Sequence, residues 1–214
     1  MTFRGPVAAV VLSMLLTPAF SGAQTFEPPK LTIGGAGGVS DPLHGDLQYV
    51  APSWDVSVRG QVAPYLMIEG FLSRWRHSSD RVLTDSPLTG PTGPLGRIGE
   101  VTIESGESVT MAGFTFLPTV SRGRFTVAGG GGPAAMIFRS DYAQRFSECD
   151  SVTACSNSDV HYSNSTFGVH LAASVDVRLA SWLTSFGQFR AGIPTQDPGS
   201  GHVAVSGGFR FVIR

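Results

Sequence analysis

Along residues 165–179 apolar and polar positions alternate with a period of two. Phe167, Val169, Leu171, Ala173, Val175, Val177 and Leu179 fall on one face, and Thr166, Gly168, His170, Ala172, Ser174, Asp176 and Arg178 on the other. Successive side chains of an extended chain point to opposite sides, so the run predicts a long strand with two chemically different faces. The last residues repeat it: Val203, Val205, Gly207, Phe209, Phe211 and Ile213 lie opposite His202, Ala204, Ser206, Gly208 and Arg210. Fainter versions over 30–39, 53–62, 65–77, 108–117, 124–139 and 181–192 bring the predicted strands to eight, and helical periodicity is scarce. Within 124–139, the glycines 129–132 followed by Pro133 predict a bulge or sharp bend.

The connections alternate in length. Those at 63–64, 119–123 and 180 are short, whereas 41–52, 78–107, 140–162 and 194–201 are longer and rich in Ser, Asp, Gly and Pro. Short turns at one end and long loops at the other are the plan of a membrane barrel. The predicted class is therefore all-β: an eight-stranded antiparallel up-and-down transmembrane β-barrel with short periplasmic turns and long extracellular loops.

Alternation alone does not say which face points outward, because a soluble lipocalin-like secreted barrel also alternates, with its apolar side chains inside. Composition changes the picture here. Lys30 is the only lysine, every other cation being arginine, and the polar face is mostly Gly, Ala, Ser and Thr. A water-facing surface would carry many Lys and Glu, whereas the crowded interior of a narrow barrel needs small residues. Trp54 and Trp182 lie near strand ends, the depth that amphipathic rings prefer in a bilayer. Centring the first short turn on Pro64 sets Arg59 opposite Glu69 while Val56, Val58 and Val62 share the other face with Leu66, Ile68 and Leu72. An interior holding Asp55, Arg59, Glu69, Asp176, Arg178, Arg190 and Arg210 is then expected to be filled by ion pairs, which buried charges require.

The N-terminus adds a location. Arg4, the apolar stretch 7–16 and the small residues Ser21, Gly22 and Ala23 have the order of a cleaved signal peptide. Residues 1–23 are accordingly assigned to export and 24–214 to the barrel, with the bacterial outer membrane as destination. A formal net charge of −1 excludes the basic face of a nucleic-acid binder. Cys149 and Cys155, the only cysteines, are expected to close a local disulfide in an oxidising compartment. No metal or cofactor motif is present; the glycine runs 34–38 and 129–132 lack the residues that follow in phosphate cradles.

With stretches such as FGVHLAASVDVRL and HVAVSGGFRFVIR, the chain resembles the small eight-stranded outer-membrane barrel families: the OmpA-like transmembrane domain, OmpX-like proteins and the opacity-type porin family. The resemblance implies a non-enzymatic integral protein in contact with outer-membrane lipid, with any surface ligand or partner protein met by 78–107 and 140–162. A narrow pore is the second possibility. A third comes from His161-Tyr162-Ser163-Asn164, a run similar to the lipid A deacylases, where it would imply Ser163 as nucleophile, His161 as base and Asn164 at the oxyanion site. Against it, the position where that family places its orienting carboxylate is Val175, and Asp176 lies on the opposite face.

Overall fold

The computed structural model describes residues 31–42, 50–90, 93–149, 157–196 and 201–213. Their strands are β1 (Leu31–Pro42), β2 (Ala51–Ala63), β3 (Leu66–Gly90), β4 (Gly93–Arg122), β5 (Phe125–Cys149), β6 (Ser158–Arg178), β7 (Leu183–Pro194) and β8 (His202–Ile213). Each pairs antiparallel with its sequence neighbours and β8 closes on β1, giving a barrel with no free edge around the cylinder. Closure satisfies the backbone hydrogen bonds within the wall, the condition for crossing hydrocarbon with strands.

Three tight connections lie at the end where the chain enters and leaves the barrel. Pro64-Tyr65 joins β2 to β3, Gly123-Arg124 joins β4 to β5, and 179–182 joins β6 to β7. Gly123 takes a φ of 61°, the left-handed region that a two-residue hairpin turn asks of its first central residue.

Burial follows the alternation with the polar side inward. Asp55, Arg59, Glu69, His170, Asp176, Gln188, Arg190 and Arg210 are buried, while Val56, Val58, Leu72, Phe114, Phe116, Phe167, Val169, Leu171, Phe209 and Phe211 are exposed. This inverts a water-soluble barrel and suits a wall immersed in lipid. Trp54 marks the loop-side margin of the apolar belt. At the other margin Tyr65 and Phe125 are exposed, and Trp182 stacks on Phe211 with ring centroids 6.1 Å apart.

Two expectations are corrected. Residues 78–107 do not form an irregular loop. The β3–β4 ladder runs on from Ser78↔Gly106 to Gly90↔Gly93. Likewise much of 140–162 is strand: β5 continues to Cys149, β6 begins at Ser158, and they pair as far as Gln144↔Ser158. β2 is paired with β3 only up to Ser53↔Trp75, and β7 with β6 only from Gly168↔Pro194. The walls β3 to β6 therefore rise past the rim as a four-stranded sheet. Along β3 residues 78–82 are largely exposed whatever their parity, which is why the pattern fades there.

Of the bulge or bend expected at glycines 129–132, the bulge is absent: the β5–β6 register runs unbroken from Phe125↔Val177 through Pro133↔Val169. The glycines serve close approach instead. A Cβ on Gly130 would strike the carbonyl oxygen of Phe116, and one on Gly132 that of Phe114, so β4 and β5 curl together as only glycine allows.

Candidate functional site

The barrel interior holds the densest chemistry. Arg59 on β2 donates through Nε and Nη2 to Oε2 of Glu69, directly opposite on β3, at 3.0 and 2.7 Å. Its Nη1 donates across the lumen to Oδ2 of Asp176 on β6 at 3.0 Å. Arg190 on β7 gives Nη2 to Oε1 of Glu69 at 2.8 Å and stands 3.4 Å from Oδ2 of Asp55. Arg210 on β8 donates to Oδ1 of Asp176 at 2.7 Å. Arg59, Arg190 and Arg210 thus balance Asp55, Glu69 and Asp176, and each carboxylate lies within reach of an arginine, as buried charges require.

Aromatic rings complete the packing. The guanidinium carbon of Arg190 lies 3.6 Å from the centre of the Phe71 ring, and that of Arg210 3.4 Å from Phe186. These are cation–π distances in a site shielded from water. His170 accepts or donates through Nε2 to Thr115 Oγ1 at 2.8 Å and meets Phe71 edge-on. Towards the loops, Phe71, Met111, Ala134 and Met136 fill the lumen, with Ala51, Trp75 and Val109 as a second group, and Phe138 packs on both. A cavity of ≈ 20 Å³ lined in part by Asp55, Trp75, Gln188, Arg190 and His202 is room for about one water. Side chains of the described residues occupy much of the interior.

Six of the seven residues expected to form the lumen network are brought together. Arg178 is not. It is exposed at the end of β6, where the wall gives way to the 179–182 turn and there is no lumen left to enter. Thr115, Phe71 and Phe186 belong to the network and were missed; their inward parity was the available signal, but neutral and aromatic side chains do not announce a charge partner. The expected Cys149–Cys155 disulfide depends on Cys155, which lies outside the described residues, as does the expected signal peptide 1–23.

On the outer surface of the β5–β6 wall, His161 sits opposite Asp141, its Nδ1 2.8 Å from Oδ1. The carboxylate that orients His161 thus comes from the preceding strand, while Asp176 is held in the lumen. Ser163 shares the His161 face one outward position nearer the barrel, and Asn164 falls on the other face, opposite Phe138. His161, Ser163 and Asn164 therefore do not converge on one reacting centre. One pair further out, Arg145 donates to Asp159 at 2.6 Å, and this hydrogen bond raises the already high pKa of the arginine.

An apolar outer belt, a charge-balanced closed lumen and a continuous eight-strand ring define a small transmembrane β-barrel. Among solved structures the chain is similar to a major outer membrane protein from Thermus thermophilus, with 14% identity, 87% of this chain and 100% of that one covered and a TM-score of 0.54. Ail, the attachment invasion locus protein of Yersinia pestis, solved in complex with the heparin analogue sucrose octasulfate, gives 11% identity, 86% and 96% coverage and a TM-score of 0.45. Neisserial surface protein A gives 9%, 89%, 100% and 0.42. No family model and no curated protein matches the chain. At these identities the likeness speaks to the fold.

Proposed function

We propose that this chain is an integral protein of a bacterial outer membrane, exported with residues 1–23 as a cleaved signal peptide. In this reading it is not an enzyme, its lumen is shut, and the sheet raised by β3 to β6 meets a surface ligand or partner protein. The observation that carries the membrane half is the inverted burial: Arg59, Arg190, Arg210, Asp55, Glu69 and Asp176 are inside, and Val56, Val58, Phe114, Phe116, Phe167 and Val169 are outside. A soluble carrier needs the reverse. The surface half is supported by the raised sheet, whose β3 edge beyond Trp75 and β6 edge before Phe167 have no neighbouring strand among the described residues. Unpaired edges are templates for an added strand.

Cell fractionation tests the reading directly. Recovery in the outer-membrane fraction, with migration on gels that shifts on boiling, supports it. Recovery in soluble periplasm overturns it.

A further inference from the structure

The lumen pairs its arginines, but three on the outside stand differently. Arg74 and Arg76 on β3 and Arg139 on β5 project from the outer face just above the apolar belt, by the same alternation that turns Leu72 and Ile137 to lipid. The register gathers them. Ser108 on β4 lies between Arg76 and Arg139, paired with each; Thr110, one outward position nearer the membrane, is paired with Arg74 and with Ile137. Trp54 on β2 flanks Arg74, and Ser163 on β6 flanks Arg139. No carboxylate occupies these two rows, and none of the three arginines has a hydrogen-bond or ion-pair partner among the described residues. The nearest outward acid, Asp141, is engaged with His161 one row further out.

We infer that this flank of β3 to β5 is a docking site for a phosphorylated glycolipid headgroup of the outer leaflet, held by Arg74, Arg76 and Arg139. The inference rests on the membrane placement proposed above. An arginine at the edge of hydrocarbon needs an anion, and its planar fork matches phosphate oxygens better than lysine does. With the chain supplying none, the anion comes from the lipid the wall touches. Arg76 and Arg139 are two strands apart, roughly 10 Å, a span that suits a headgroup larger than one phosphodiester. The hydroxyls of Thr110 and Ser163 lie beside the arginines, where sugar hydroxyls would meet them. Trp54 fixes the depth at the headgroup level.

The test uses the full barrel folded into phosphatidylcholine nanodiscs and titrated with diphosphorylated lipid A, retained lipid being counted by native mass spectrometry. Wild type retains lipid A over phosphatidylcholine. Arg74→Gln/Arg76→Gln/Arg139→Gln lowers that retention at least about tenfold. Arg139→Gln alone gives a smaller loss in the same direction, and Arg81→Gln/Arg145→Gln, on the raised sheet, changes nothing. Equal retention by the triple variant, or equal retention of dephosphorylated lipid A or of phosphatidylglycerol by wild type, overturns the site while leaving the membrane barrel intact. Failure of wild type to enter the nanodisc as a heat-modifiable barrel overturns both.

Discussion

Arg59 and Glu69 face each other across the β2–β3 ladder, both turned into the barrel, with Nη2 and Oε2 2.7 Å apart. The same carboxylate holds Arg190 through its other oxygen. Glu69→Ala therefore takes the shared carboxylate from two buried cations at once, leaving Arg59 with Asp176 alone and Arg190 with Asp55 alone. Removing one partner of a buried pair costs about 3–5 kcal/mol, because the charge left behind keeps its desolvation penalty. Reversible urea unfolding in lipid vesicles should show a loss of that size, and a loss under about 1 kcal/mol would mean the network does not hold the barrel together.

The same network closes the lumen. Arg59, Arg190 and Arg210 reach the middle from three strands, and Phe71, Met111 and Met136 block the path above them. In planar bilayers the wild-type barrel is expected to be silent. Arg190→Ala combined with Glu69→Ala removes a cation and an anion together, keeps the charge balanced, and is expected to produce ion-conducting steps. Steady conductance by wild type would show the plug to be open and favour the narrow pore.

Much of this was legible in the chain. Period-two alternation located all eight strands because the wall separates two environments, and the lack of lysine oriented them. The Arg59–Glu69 pairing expected from a turn centred on Pro64 is observed, although the turn itself is Pro64-Tyr65 and an irregularity between Gln61 and Ala63 is what restores that register. Legibility failed where the environments stopped differing. Above the rim Ser78, Asp80 and Glu104 are exposed and polar, so they read as loop residues although they sit in a continuous ladder. Arg178 failed for a related reason: parity aimed it inward, but parity carries no information on where the lumen ends. The outer arginine group was hidden because Arg74, Arg76 and Arg139 come together only through the register of three strands.

The glycine pattern predicts opposite outcomes on the two faces. Gly132→Ala places a Cβ against the Phe114 carbonyl oxygen, a backbone atom that cannot swing aside, whereas around Gly37 and Gly187 an added Cβ meets nothing within 4 Å. Overpacking of this sort costs about 1–3 kcal/mol. Gly132→Ala should lower the unfolding midpoint, and Gly37→Ala and Gly187→Ala should leave it within error. Equal effects at all three would mean that backbone entropy and not wall curvature dictates the glycines.

His161 and Asp141 form a pair with the look of a general base and its orienting acid, with Ser163 on the same face. Among the described residues no hydroxyl is hydrogen-bonded to the other ring nitrogen, and Asn164 falls on the opposite face. Expression of the protein is accordingly expected to leave the mass of lipid A unaltered, with Ser163→Ala indistinguishable from wild type. Loss of an acyl chain on expression, abolished in Ser163→Ala, would establish a lipid hydrolase instead.

The direction of the wall is open to the most direct challenge. Leu171 lies near the middle of the outward apolar run 167–179 and is 57% exposed, between Gly131 on β5 and Ala191 on β7. If that face meets acyl chains, Leu171→Arg puts a cation near the bilayer midplane at a cost of about 2–4 kcal/mol. Beyond the belt margin that Trp54 marks, Val50→Arg costs about 0–1 kcal/mol on the same scale, since the guanidinium there reaches headgroups and water. The comparison separates a membrane wall from a solvated one, because an arginine on a water-facing strand is tolerated at either depth. Refolding yields and urea midpoints in vesicles should therefore fall with depth for arginine and stay flat for Leu171→Ala, whose outer methyl groups pack against mobile lipid and leave no fixed cavity. A depth-independent arginine effect would place water outside this barrel and return the chain to the soluble class.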